Sequence, residues 1–207
     1  MADAESAARA LTSAQPDLPS AWTSLGDLLR QQDKWADAVT AYDRALELLT
    51  KAGEKQATWF PLYARGIALE RAGQFPKAEQ DLRTALKLRP DSAQVLNYLG
   101  YSLVDRNEKL DEALKLIQKA VELRPDDGYI LDSLAWAYFR MGRYDEAVDP
   151  MERAVAAMAS DSLVNDHMGD IYWMVGRKRE AQIQWQRALS LKPEAESDAA
   201  RIRAKLD

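Results

Sequence analysis

The chain has no cysteine, a single histidine, three phenylalanines and no long apolar run among its 207 residues. Without thiols there can be no disulfide, thiolate metal site or cysteine nucleophile. One imidazole, His167, leaves little material for acid–base work or zinc binding. No hydrophobic stretch approaches the roughly 18 to 20 residues of a membrane span. Positive charge is also short: 28 Lys and Arg stand against 33 Asp and Glu, a net charge of −5. That balance argues against a nucleic-acid partner, whose phosphates demand a basic stripe. The start, Met1-Ala2-Asp3-Ala4-Glu5, is acidic where a secretory leader carries positive charge. As written, the chain is expected to be soluble and unexported.

What the chain does have is ordinary folded composition, 47% hydrophobic and 29% charged, arranged in a repeat. Gly26, Ala38 and Ala45 return as Gly66, Ala78 and Ala85, then Gly100, Ala113 and Ala120, then Ala135, Ala147 and Ala154, then Gly169, Ala181 and Ala188. The first position recurs after 40, 34, 35 and 34 residues, a period that marks stacked helical units. Within a unit, Leu131, Leu134, Ala135 and Tyr138 follow the i, i+3, i+4, i+7 spacing of one helix face, and Ala147, Met151 and Ala154 mark a second helix beyond Gly142 and Arg143. Each unit therefore predicts a helical hairpin. Its small residues allow close approach, and Pro90, Pro125 and Pro193 fall where the second helices should stop. Trp35, Phe75, Leu110 and Tyr144, just before the second helices, are expected to fill the hairpin corners.

Trp22-x2-Leu25-Gly26, followed by Ala38-x3-Tyr42 and Ala45, resembles the tetratricopeptide pattern. Leu99-Gly100…Ala113-x3-Ile117…Pro125 and Met168-Gly169-x2-Tyr172…Ala181-x3-Trp185…Pro193 repeat it. The resemblance implies an all-α, right-handed solenoid of antiparallel helical hairpins. The expected organisation is a partial repeat over 1–18 holding a second helix only, five repeats over 19–58, 59–92, 93–127, 128–161 and 162–195, and a capping helix over 196–207. The first repeat carries six additional residues around Leu49 to Gln56, which predicts a longer second helix; an insertion at Asn107-Glu108-Lys109 lengthens the third turn. Arg65 stands at a usual leucine position, so its stem is expected to snorkel over the hairpin. The last three repeats also resemble the closing repeats of long bacterial envelope proteins of this family, which act as assembly factors or adaptors.

The family resemblance places a concave groove on a second stripe of each first helix. By helical phase the stripe holds Asn97 and Tyr101, then Asp132, Trp136, Phe139 and Arg140, then Asp166, Asp170 and Trp173. Tyr101, Trp136 and Trp173 fall at equivalent or nearly equivalent places, and large rings off a stacking stripe are the material of binding hot spots. The implied function is a non-catalytic scaffold or adaptor that binds a protein or peptide segment carrying basic and apolar residues. The carboxylates would repel the C-terminal tails that some members of this family grip, and Asn97 alone matches their residue set. Two alternatives stay open: a helical-repeat RNA-binding module, and a non-catalytic regulatory subunit of an enzyme complex.

His167, with Asp166 and Asp170 within one turn, reads as an inter-helix packing or hydrogen-bonding residue, with no hydrolase or zinc motif around it. No catalytic residue, metal site or cofactor is expected. Pro150 lies inside a second helix and should bend it; five methionines from Met141 to Met174 suit an adaptable core or a forgiving binding surface. A complete chain would be cytoplasmic; a fragment of an exported bacterial protein would be periplasmic or membrane-associated. Self-association through the N-terminal repeat edge is a further expectation.

Overall fold

The computed structural model describes residues 2–193 and 195–206, so Met1, Glu194 and Asp207 lie outside the description. The described residues form α-helices joined by short turns, with no strand among them, and the fold class is all-α as the spacing predicts. In order they are α1 (Ala2–Ala14), α2 (Pro19–Arg30), α3 (Trp35–Lys51), a 3-10 turn (Lys55–Thr58), α4 (Trp59–Arg71), α5 (Phe75–Leu88), α6 (Ala93–Asp105), α7 (Leu110–Leu123), α8 (Gly128–Arg140), α9 (Tyr144–Ala157), α10 (Ser162–Met174), α11 (Lys178–Ser190) and α12 (Glu196–Ala204). The chain divides into two compact units between Val95 and Leu96.

One kind of contact builds every hairpin. The small residue of the first helix faces a large side chain of the second, 16 or 17 residues later. A Cβ placed on Gly26 would lie 2.6 Å from the Tyr42 ring, on Gly66 2.9 Å from Leu82, on Gly100 2.6 Å from Ile117, and on Gly169 2.3 Å from Trp185. Tyr42, Leu82, Ile117 and Trp185 are all buried. The fourth hairpin has the pair Ala135 and Met151, both fully buried. Glycine is used here because it lets a knob touch backbone.

The hairpin turns obey a second rule. Asp33, Gly73, Asn107, Gly142 and Gly176 occupy corresponding places, and all five have positive φ, from 57° to 84°. In each turn the following residue's N–H bonds back to the first helix, as from Lys34 to the Leu29 carbonyl and Arg143 to Tyr138. This is the left-handed C-terminal cap that satisfies orphan carbonyls, and it favours glycine.

In the first unit α3 runs 17 residues where α5 runs 14. The core joins Leu25, Leu29, Ala38, Ala41, Tyr42, Ala64 and Ala68. Arg65 does more than snorkel: Nε and Nη2 donate to Asp81 at 2.6 and 2.8 Å, and Nη1 donates to Asp43 at 2.6 Å. It thus ties α4 to α3 and α5, and Asp81 is buried beneath it. The corner residues are less enclosed than expected. Phe75 is 41% exposed, and the Trp35 ring is faced by the Arg71 guanidinium at 5.3 Å. Each begins its second helix, so one edge of the ring meets solvent.

In the second unit the core runs from Leu131 and Ala135 through Met151, Met168, Ile171 and Trp185 to Ile202. Helix α9 continues through Pro150. Helix α12 presses Ala199 and Ile202 inward, both buried, and covers the end of this core.

Three stability outcomes are expected. Gly100→Ala pushes a methyl against Ile117 and within 3.1 Å of the Ala113 carbonyl, and should cost about 1 to 3 kcal/mol in urea unfolding. Ile117→Ala should then cost less in that background than in the parent, a coupling read from a double-mutant cycle. Asp33→Gly should raise stability by up to about 1 kcal/mol, because it removes a side chain from a left-handed position.

Candidate partner-binding site

The candidate residues sit on α6, α8 and α10, all within the second unit from Leu96 onward. Two of these helices start at aspartate caps. Asp127 accepts from the Tyr129 and Ile130 amides, and Asp161 from the Val164 amide. The caps fix where each helix begins, and so which residues share a face. From those starts, Asn97, Asp132 and Asp166 correspond, as do Tyr101, Trp136 and Asp170, and then Val104, Phe139 and Trp173. Trp173 therefore stands in the place of Phe139, one turn beyond that of Trp136.

The structure separates the nine candidates into an internal set and an accessible set. Asp166 is 0% exposed and accepts from Arg201 at 2.7 Å and Lys205 at 2.8 Å. Asp132 is 6% exposed and accepts from His167 Nδ1 at 2.8 Å. Burial takes these two carboxylates out of a partner's reach, which corrects the expectation of an open acidic stripe. Asp170, half-buried, accepts from Lys205 at 2.6 Å and from the Trp185 indole N–H at 3.0 Å. Arg140 donates to the Asp105 carbonyl at 3.1 Å. Asn97 is half-buried, and its Oδ1 is buried with no hydrogen-bond partner. Tyr101 is half-buried.

The rings lie closer to the surface. Trp136 stacks on His167, with centroids 3.9 Å apart and planes 12° apart, and on Phe139, at 4.7 Å and 9°. Phe139 meets Tyr144 edge-on at 5.4 Å. Trp173 is 38% exposed, packs against Trp185 at 5.4 Å and carries the Lys178 ammonium 3.5 Å from its ring centroid. Next to it Met174 is 45% exposed. Phe139, Trp173, Met174 and Trp185, with Asp170, Ala204 and Lys205, enclose an open pocket of about 350 Å³. Its walls are mostly apolar, and its one carboxylate is already neutralised by Lys205.

Phase reasoning missed Met174, Trp185, Ala204 and Lys205. A signal for the cations was nevertheless present in the sequence: Asp132 to His167 and Asp166 to Arg201 are both 35 residues apart. A carboxylate on one first helix thus meets a cation one position past its counterpart on the next. Helix α12 fills the place of a further first helix in that series.

Electrostatics explain the state of His167. Burial alone would lower its pKa, but the charge and hydrogen bond of Asp132, with Asp166 and Asp170 nearby, lift it above the ordinary 6.5. Among the described residues no group of three or more His, Cys, Asp or Glu is placed to hold a metal ion, and no helix is long and apolar enough to cross a membrane.

Because the folded-state value of His167 is raised, its pairing contributes full stability below the unfolded value of 6.5 and loses it as pH rises through the folded value. Unfolding free energies from urea titrations measured upward from about pH 6 should therefore fall, with a slope of no more than about 1.4 kcal/mol per pH unit from this one proton. That part of the slope should vanish in His167→Gln.

Comparison with known proteins agrees with this geometry. Three family models described as tetratricopeptide repeat match residues 17–91, 63–128 and 106–171. The TPR repeat-containing protein PA4667 of Pseudomonas aeruginosa is 39% identical over 82 residues, which are 40% of this chain and 14% of that protein. A chain of the APC/C hetero-tetramer Cut9–Hcn1 superposes with a TM-score of 0.84 at 18% identity, over 100% of this chain and 39% of the other. YrrB, described as a TPR protein with an unusual peptide-binding site, gives a TM-score of 0.63 at 19% identity, over 96% of this chain and 98% of its own. This chain thus spans a minor part of both PA4667 and the Cut9–Hcn1 chain, and the two structures share its fold. With the repeat spacing, the hairpin contacts and these three matches in agreement, the chain belongs to the tetratricopeptide repeat family.

Proposed function

We propose that this chain is a non-catalytic scaffold or adaptor that holds a segment of a partner protein against α8 and α10, with an apolar partner side chain seated between Phe139, Trp173 and Met174. The tetratricopeptide fold is that of protein–protein interaction scaffolds. The observation that carries the finer reading is the open pocket of about 350 Å³, rimmed by a tryptophan and a methionine that are more than a third exposed. A partly exposed tryptophan beside a cavity is the usual anchor of a binding hot spot, and methionine adapts to whatever enters.

The partner's apolar groups supply the affinity in this reading. Arg201 and Lys205 already occupy the basic role that the carboxylates suggest, so a basic partner residue adds little. The sole histidine is buried on Asp132 rather than open to a substrate, which favours a binding role over a catalytic one.

The test is a displayed peptide library selected on the whole chain, with winners measured by titration. Trp173→Ala should weaken the selected peptides by roughly tenfold or more, and Met174→Ala by less. Phe60→Ala, an exposed ring of the first unit, should leave them unchanged. Peptides that bind the Trp173→Ala chain as tightly as the parent would place the binding surface elsewhere.

A further inference from the structure

We propose that His167, held by Asp132, is the positioning residue of the pocket's α8 wall: the imidazolium steadies Trp136, Trp136 steadies Phe139, and partner affinity falls when His167 loses its proton. The proposal rests on the reading of the Phe139–Trp173–Met174 pocket as the partner site.

The geometry is a run of rings leading from a buried polar anchor to the pocket. His167 is 4% exposed, and its Nδ1–H donates to Asp132 at 2.8 Å. Its ring lies 3.9 Å from the Trp136 centroid and nearly parallel to it; Trp136 lies 4.7 Å from Phe139, again nearly parallel. Phe139 is a wall of the pocket. Trp136 and Phe139 are both half-buried, so the stacked rings supply part of what holds each of them in place. A protonated imidazole over an indole face gains a cation–π attraction that the neutral ring lacks. Loss of the proton leaves the Nδ1–H hydrogen bond possible but removes that attraction and the ionic part of the bond to Asp132.

The surrounding charges make Asp132 the controlling partner. On α10 itself Asp166 and Asp170 lie near the imidazole, but Arg201 of α12 engages Asp166, and Lys205, just past the end of α12, engages both. On α9 Glu152 is held by Arg177 and the Tyr172 hydroxyl, and on α11 Glu180 also pairs with Arg177. Asp132 on α8 bonds His167 directly.

A single histidine makes the experiment clean, since the chain has one imidazole Cε1–H signal to follow by NMR. A selected peptide without histidine is titrated into the whole chain from about pH 5.5 to about pH 9.5, alongside the imidazole signal. The dissociation constant should rise about three- to tenfold as His167 deprotonates, with the same midpoint as the NMR curve. Asp132→Asn should move both midpoints down together. His167→Gln, confirmed as folded by circular dichroism, should bind weakly and without that pH dependence. A histidine that serves packing alone would titrate while the dissociation constant stayed flat, and that result overturns the proposal, as does an imidazole that does not titrate in this range. The two readings fail separately. A flat pH profile with binding still lost in Trp173→Ala defeats the positioning role and spares the pocket, whereas full binding by Trp173→Ala defeats the pocket.

Discussion

Each hairpin depends on backbone meeting side chain at one point, where a residue with no side chain or a single methyl receives a knob from the second helix. Tyr42 on Gly26, Leu82 on Gly66, Ile117 on Gly100 and Trp185 on Gly169 are four solutions of that constraint with different volumes. The space left by the missing Cβ is the same, so the knob's shape sets how the pair closes. A large knob also leaves polar atoms near the rim. The Tyr42 hydroxyl donates to Asp27 at 2.7 Å and the Trp185 indole to Asp170 at 3.0 Å, so the first-helix carboxylates are drawn into hairpin packing by the knobs themselves.

That is why the acidic stripe does not behave as a solvated surface. An aspartate next to a buried knob must be hydrogen-bonded or ion-paired, since an uncompensated buried charge costs several kcal/mol. The second unit meets the requirement with His167, Arg201 and Lys205; the first meets it at the buried Asp81, which accepts from Arg65. With the charges committed internally, the accessible part of the stripe is aromatic and thioether surface.

The parts of this arrangement that were legible in the sequence are those fixed by local chemistry. Small residues at a fixed interval, prolines after the second helices and a longer α3 all follow from backbone geometry, which repeats with the period. The residues around the pocket were less legible. Phase arithmetic places a Cα on a helix face but does not say what lies above it, and the cover over Asp166 comes from Arg201 and Lys205, 35 and 39 residues away. Helical phase alone groups Trp173 with Tyr101 and Trp136, though it stands one turn further along, because helix starts must be known to one residue before such places can be matched. The caps at Asp127 and Asp161 supply that origin. Phe75 shows the converse: a ring at a recurring position can still be 41% exposed when it sits on the first residue of its helix.

Helix α12 shows how charge and packing divide the work. Its buried apolar residues are few, Ala199 and Ile202, with Leu206 just past its end packed on the same core, and a slide of one turn would cost about 1.5 to 3 kcal/mol at Ile202. The charges oppose it as well. Asp166 is fully buried, and a slipped α12 would withdraw the Arg201 and Lys205 contacts together, leaving a carboxylate inside the protein without its cations. Ile202 therefore holds the helix against the core, while Asp166 selects the register in which it is held. The same register puts Ala204 and Lys205 at the edge of the Phe139–Trp173–Met174 pocket, so the shape of the accessible cavity depends on ion pairs anchored at the buried Asp166.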